Sequence, residues 1–175
     1  MFLPSHLASG YLLSKAIKPS IWTVFPFMPV LIIAAIFPDA DGIFSETVAG
    51  HHSMLHTPIL WITLFGVMIF VDRMTNSEKI KPIALGVLFG SLSHLFTDWL
   101  TARTVGIQWF YPLSQKDYFL FQIHPENGQG SVWEMISEPY FSFYMENGFL
   151  FWTEIGIILI TIVLIFKNRP SGLEN

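Results

Sequence analysis

The chain contains no cysteine. Disulfides, iron–sulfur clusters, thiolate zinc sites and cysteine nucleophiles are therefore all excluded. Charge is scarce as well: Asp, Glu, Lys and Arg make up 13% of the 175 residues, against roughly 25% in an ordinary soluble domain. Nine Lys and Arg against thirteen Asp and Glu leave a net charge of -4, which gives no basic footprint for nucleic acid. Residues 1–17 do not read as a secretory signal, because no Lys or Arg precedes their apolar part and no small-residue cleavage site follows. Neither an internal repeat nor a low-complexity linker divides the chain, so a single membrane-embedded domain over residues 1–175 is expected.

What is present is apolar surface. The chain is 52% hydrophobic and 16% aromatic, with a mean hydropathy of +0.51, the profile of an integral membrane protein. Apolar runs approaching the roughly 20 residues that cross a bilayer lie at residues 21–37, 58–71, 82–100 and 148–166. The last is the clearest span, and Pro26 and Pro29 should kink the first. Residues 3–17 are helical in character but shorter, so they either cross with recessed ends or lie partly in the interface. The fold expected is all-α: a multi-pass membrane helical bundle of four or five transmembrane helices with a long extracytoplasmic loop at residues 101–147.

Charge bias orients the bundle, because cytoplasmic loops are enriched in Lys and Arg. Lys15 and Lys18, then Arg73, Lys79 and Lys81, then Lys167 and Arg169 all fall on one side. The loop at 38–57 has no Lys or Arg, and 101–147 has only Arg103 and Lys116 against Asp117, Glu126, Glu134, Glu138 and Glu146. These two segments are expected outside the cytoplasm, at the outer face of the cell (inner) membrane.

The chemistry-bearing residues gather on that outer side. Ser91, His94, Asp98 and Thr101 recur at spacings of three, four and three, which makes one polar stripe on a helix, and Gly86 and Gly90 continue it inward where another backbone should approach. An imidazole and a carboxylate four residues apart are two ligands on one rigid face. A membrane-buried His–Asp pair bonded only to itself is the plainer reading, but ionisable groups at that depth are costly and usually functional. Asp39 and Asp41 lie in an Asp-x-Asp-Gly stretch that alone would be a solvated turn. His51, His52 and His56 lead into the next apolar run, and His6 joins the same layer if residues 3–17 cross. With six histidines and five aspartates in the whole chain, this convergence points to a metal site more than to solvation.

Pro38-Asp39-Ala40-Asp41 with Ser45, then His51-His52-Ser53-Met54-Leu55-His56-Thr57, His94-x-x-x-Asp98 and Trp109-Phe110-Tyr111-Pro112-Leu113-Ser114 resemble the YdjM-like membrane-bound metal-dependent hydrolases, over residues 1–114. His6 fits the same pattern. That family is distantly similar to zinc-dependent phospholipase C, so the resemblance implies an all-helical, metal-dependent phosphoester hydrolase. The family usually reads His-Arg-Gly-x-Thr-His-Ser; His51 and His56 match its two histidines, His52 replaces Arg and Leu55 replaces Thr. His51 and His52 thus remain alternative ligands. The second half of the phospholipase ligand set has no match here, which favours one or two ions over three.

The ligand set expected is His6, Asp39, Asp41, His51, His52, His56, His94 and Asp98, holding zinc, manganese or iron. Asp39 and Glu154, the latter a few residues inside the last span, are the candidate general bases. Glu134 is a weaker acidic candidate, and His124 reads as a loop residue. The aromatics of 101–147 form an interfacial belt or a lid over an amphiphilic substrate. Cleavage of a phosphoester or a lipid-linked substrate by metal-activated water is the expected reaction, with the bilayer as the one definite partner. Two other classes compete: a non-catalytic membrane partner protein with a structural metal, and a metal or ion transporter. A transporter would need polar groups across the midplane, whereas the ligands here crowd one face.

Overall fold

The computed structural model describes residues 2–17, 27–121, 124 and 128–167. Lys18, Pro26, Glu126 and Arg169 fall outside the described residues, as does the first part of the apolar run at 21–37. Seven α-helices are found among the described residues: α1 (Leu3–Ala16), α2 (Phe27–Ala34), α3 (Val48–His51), α4 (Pro58–Thr75), α5 (Ile80–Thr101), α6 (Tyr140–Glu146) and α7 (Gly148–Lys167). Short 3-10 helices at Phe37–Ile43, Met54–His56 and Val132–Ile136 join them. No β-strand forms there beyond two isolated bridges, Thr47 to Ser131 and Ile107 to Tyr118. The expected all-helical class is the one observed.

Among the described residues, three helices are long and apolar enough to cross a membrane: α4, α5 and α7, of 18, 22 and 20 residues. At 1.5 Å per residue they measure roughly 27 to 33 Å, the thickness of a bilayer's hydrocarbon core. With 14 residues, α1 spans only about 21 Å, which is why it does not join them. Local signals set the ends. Pro58 opens α4 at a position where its missing N–H costs nothing, and Asn76 closes it in the left-handed conformation at φ 49°. Arg73 in the last turn of α4 and Lys167 in the last turn of α7 complement the helix dipoles.

Helix α5 is the axis of the bundle, packed against α1, α2 and α4. Its approach to α2 depends on Gly90, where an added Cβ would collide with the Leu31 carbonyl oxygen and lie 2.7 Å from Ala34 Cβ. The close approach read from Gly86 and Gly90 is thus present, with α2 as the partner. By contrast α4 and α7 turn Ile62, Val67, Phe70, Ile160, Val163 and Phe166 outward, an apolar surface suited to lipid.

The segment at 101–147 is folded onto the end of the bundle. Val105, Tyr140 and Phe143 pack with Val48 of α3, and Ile107 packs with Trp61 of α4 and Leu95 of α5. This tethers the aromatic segment to the acidic loop, with the polar end of α5 close by.

Candidate metal centre

Four backbone segments bring their polar side chains to one point. His6 comes from the first turns of α1, Asp39 and Asp41 from the 3-10 helix after α2, His51 from the end of α3 and His56 from the 3-10 helix that follows it, and His94 and Asp98 from α5. Gly42 makes room for this: a Cβ there would meet His51 Nδ1 at 3.1 Å. His6, His56 and His94 are almost completely buried, as is Asp98.

The hydrogen bonds fix which nitrogen of each ring faces inward. The last-turn carbonyls of α2 have no partner within that helix. Ser91 donates to the Ala34 carbonyl at 3.4 Å and His94 Nδ1 donates to that of Ala35 at 2.8 Å. His94 therefore directs its Nε2 away from α2. On α1, the Thr97 hydroxyl donates to backbone carbonyls of its own helix at 2.9 and 3.0 Å, so it accepts from His6 Nδ1 at 3.1 Å. His6 Nε2 is left buried and facing Asp98. His56 Nδ1 lies 3.3 Å from Asp41 Oδ2 and donates to it. Three imidazoles thus have Nδ1 committed outward and Nε2 turned in, the arrangement by which outer partners orient metal-binding histidines.

Inside, the distances are those of a coordination shell. Asp98 Oδ1 is 3.1 Å from His6 Nε2, and its Oδ2 is 3.0 Å from His94 Nε2 and 3.5 Å from His56 Nε2. Asp39 Oδ1 lies 3.5 Å from His94 Nε2. Tetrahedral zinc with bonds of about 2.05 Å places its donors roughly 3.3 Å apart. His6, Asp39, His94 and Asp98 each offer one donor atom within 4.8 Å of all the others, and His51, His52 and His56 form a second such group. His56 Nε2 and His94 Nε2 approach to 3.2 Å. With both Nδ1 atoms committed as donors, two facing lone pairs at that distance need a cation or a shared proton between them.

His51 is held differently. Its Nδ1 is 2.6 Å from Asp41 Oδ1 and its Nε2 is 3.3 Å from Asp39 Oδ1. Burial opposes its protonation, but the hydrogen bonds to Asp39 and Asp41 outweigh it and raise its pKa to about 9. The reverse effect acts on the carboxylates. Burial resists their ionisation, yet the His51 hydrogen bond draws both Asp39 and Asp41 below the usual carboxylate range. His56 is raised: burial lowers it, but bonds to Asp41 and Asp98 prevail. His52 is pushed well below the ordinary histidine value by burial, then by the charge of His56. Its ring stacks on His56 with centroids 4.5 Å apart, and its buried Nδ1 has no partner.

All eight ligand candidates from the sequence therefore stand in or against this cluster. His51 and His52 both lie in the group with His56, so the choice between them is not made by position. Glu154 is placed elsewhere. It is buried in α7, where Oε1 accepts from Arg103 Nη1 at 3.2 Å and Oε2 accepts from the Phe2 backbone N–H at 3.0 Å. Its oxygens thus tie α1 to α7. Glu134 is exposed on the 3-10 helix, and His124 pairs with Glu146 at 2.8 Å. Sequence reasoning passed over Arg103 and Thr97. Arg103 was one of only two cations in its segment, and Thr97 adjoins Asp98 and lies three residues from His94, signals that could have singled them out.

A cleft of about 360 Å³ opens beside the cluster, walled by Asp39, His51, His52 and Asp98 on one side and by Val132, Trp133 and Met135 of the folded segment on the other. Ligands, an open approach and an apolar rim are thus present together. The family model described as YdjM inner membrane protein matches residues 1–170. No curated protein and no solved structure matches the chain.

Proposed function

The chain belongs to the YdjM inner membrane protein family and is a membrane protein with a His/Asp group able to hold a metal ion, and we propose that it is a metal-dependent hydrolase of lipid-linked phosphoesters. The observation that carries this reading is the locked inward orientation of Nε2 on His6, His56 and His94 around Asp39 and Asp98. His6 Nε2 faces Asp98 Oδ1 at 3.1 Å, a nitrogen and a carboxylate oxygen between which a proton or a metal ion fits.

His6, Asp39, His94 and Asp98 would hold one ion, and His56 with His51 or His52 a second. Zinc suits the nitrogen-rich set, with manganese or iron as alternatives. A bound divalent ion would lower the pKa of its water toward neutrality and polarise the phosphoryl group. Asp39, 22% exposed in its side chain and beside the cleft, is the carboxylate available to take the water's proton. His51, shared between Asp39 and Asp41, would relay or retain that proton. Glu154 could act as a base only after releasing Arg103, so Asp39 is the better placed of the two.

The orientation proposed from charge bias puts this cluster on the extracytoplasmic side, with α1 and the segment containing α2 completing four or five spans. Ile43 and Trp133, both largely exposed, form the cleft's rim and suit a substrate whose tail remains in the bilayer.

A second reading, a structural ion in a non-catalytic partner protein, draws on the fact that His6, Asp39, His94 and Asp98 already number four. A closed shell of four protein ligands leaves no place for water, whereas a catalytic shell keeps one. Elemental analysis of protein purified without chelator, alongside His94→Ala and Asp98→Ala, tests the centre. Wild-type protein is expected to retain metal and both variants to lose it. Metal-free wild-type protein sinks both readings. Metal without metal-dependent turnover on phosphomonoester, phosphodiester and phospholipid substrates leaves the structural one.

A further inference from the structure

Arg103 is a cation buried to 6% exposure just beyond the C-terminal end of α5, and its guanidinium is only partly used. Nε donates to the Phe143 carbonyl at 3.2 Å, and Nη1 donates to the Thr101 carbonyl at 2.8 Å and to Glu154 Oε1 at 3.2 Å. The ring of Tyr144 lies 4.1 Å from the guanidinium carbon and fixes its plane. Nη2 is buried and has no hydrogen-bond partner. An unpaired buried donor on a permanent charge is costly, so its persistence calls for an acceptor.

The surroundings indicate which acceptor. Arg103, His52 and Asp98 line one small cavity, of the order of a water molecule in free space. His52 Nδ1, the neighbouring orphan on that wall, is likewise without a partner. This inner cavity adjoins the open cleft, and the two share His52, Asp98, Met135 and Tyr144. Among the described residues, Arg103 is the only Lys or Arg lining either of them. Room for about one oxygen, lined by Arg103, His52 and Asp98, describes a place for one oxygen of an anion whose other oxygens face the cleft.

We propose that Arg103 Nη2 and His52 form a phosphoryl-oxygen subsite next to the metal centre, so that the substrate class is a phosphate ester and not a carboxylic ester or an amide. This rests on the hydrolase reading for the reaction, while the anion site itself stands on Arg103. Arginine's planar fork suits a phosphoryl oxygen, with Nη1 anchored by Glu154 and Nη2 presented to the ligand. Glu154 is then a positioning residue for the guanidinium.

Titration calorimetry with inorganic phosphate on the detergent-solubilised protein, with and without added zinc, tests the subsite. Arg103→Lys keeps a charge for Glu154 but has no second nitrogen to extend, and it should bind phosphate about 10- to 100-fold more weakly while its zinc content stays at the wild-type level. Wild-type affinity in Arg103→Lys, or no phosphate binding by wild-type protein at millimolar concentration, overturns the proposal. Should the variant not fold, the Arg103 guanidinium N–H resonances of wild-type protein must move on adding phosphate and not on adding nitrate; unmoved resonances overturn it equally. Phosphate binding that depends on Arg103 in protein that takes up no zinc separates the two ideas: the subsite stands and the hydrolase reading falls. Micelles containing phosphatidic acid, with diacylglycerol as control, assign the source. Displacement of phosphate by phosphatidic acid alone marks a lipid headgroup, and no displacement by either marks a free or soluble phosphate.

Discussion

At the scale of single residues, the centre is built as much from the groups behind the histidines as from the histidines themselves. Thr97 illustrates this: its hydroxyl spends its proton on its own helix and so must accept from His6. Thr97→Val preserves the shape and removes that acceptor, leaving His6 free to turn or to change tautomer. Metal affinity is expected to fall about 10- to 100-fold, measured by competition with a chromogenic chelator. Unchanged affinity would show that His6 is not oriented by this bond. The residues that gather in the cluster were largely legible in the sequence, because His and Asp at four-residue spacing are costly in an apolar chain. The dual hold of Asp39 and Asp41 on His51 was not legible, since it depends on a 3-10 turn that packs against α3. Nor was the fate of Glu154: from sequence it is a lone carboxylate in a span, and only the fold reveals that Arg103, 51 positions away, has claimed it.

At the scale of elements, the contact of α2 with α5 carries the centre. The two helices must lie close enough for His94 to reach the Ala35 carbonyl, and Gly90 sets that separation. Gly90→Ala would drive a Cβ into the Leu31 carbonyl, a backbone atom that cannot move aside. A loss of about 1–3 kcal/mol is expected in thermal unfolding in detergent, together with weakened metal binding. Gly66→Ala in α4 is the control, because nothing lies within 4 Å of the added carbon, and it should leave stability unchanged or raise it slightly. Equal effects from the two would remove Gly90 from this role. The sequence announced the close approach through its glycine spacing. It could not announce the partner, since several apolar runs were equally able to supply a smooth face.

At the scale of the whole molecule, the described residues combine three apolar helices with a polar His/Asp cluster near one end of α5. The absence of cysteine makes its topology directly measurable, because single cysteines can be placed on the natural background. Phe44→Cys, beside the cleft, should react with a membrane-impermeant maleimide added to intact spheroplasts, whereas Asn76→Cys in the turn between α4 and α5 should react only after permeabilisation. The opposite pattern would put the centre in the cytoplasm and exclude an outer-leaflet substrate.

The bond between the Phe2 amide and Glu154 joins the second residue of the chain to its last helix. During synthesis α1 therefore stays without this anchor until α7 has been made, and His6 stays with it. A nascent chain released early would carry His94 and Asp98 but lack the support that settles α1 over them. A copy lacking α7 is therefore expected to be cut by protease within α1 more readily than a copy that has it.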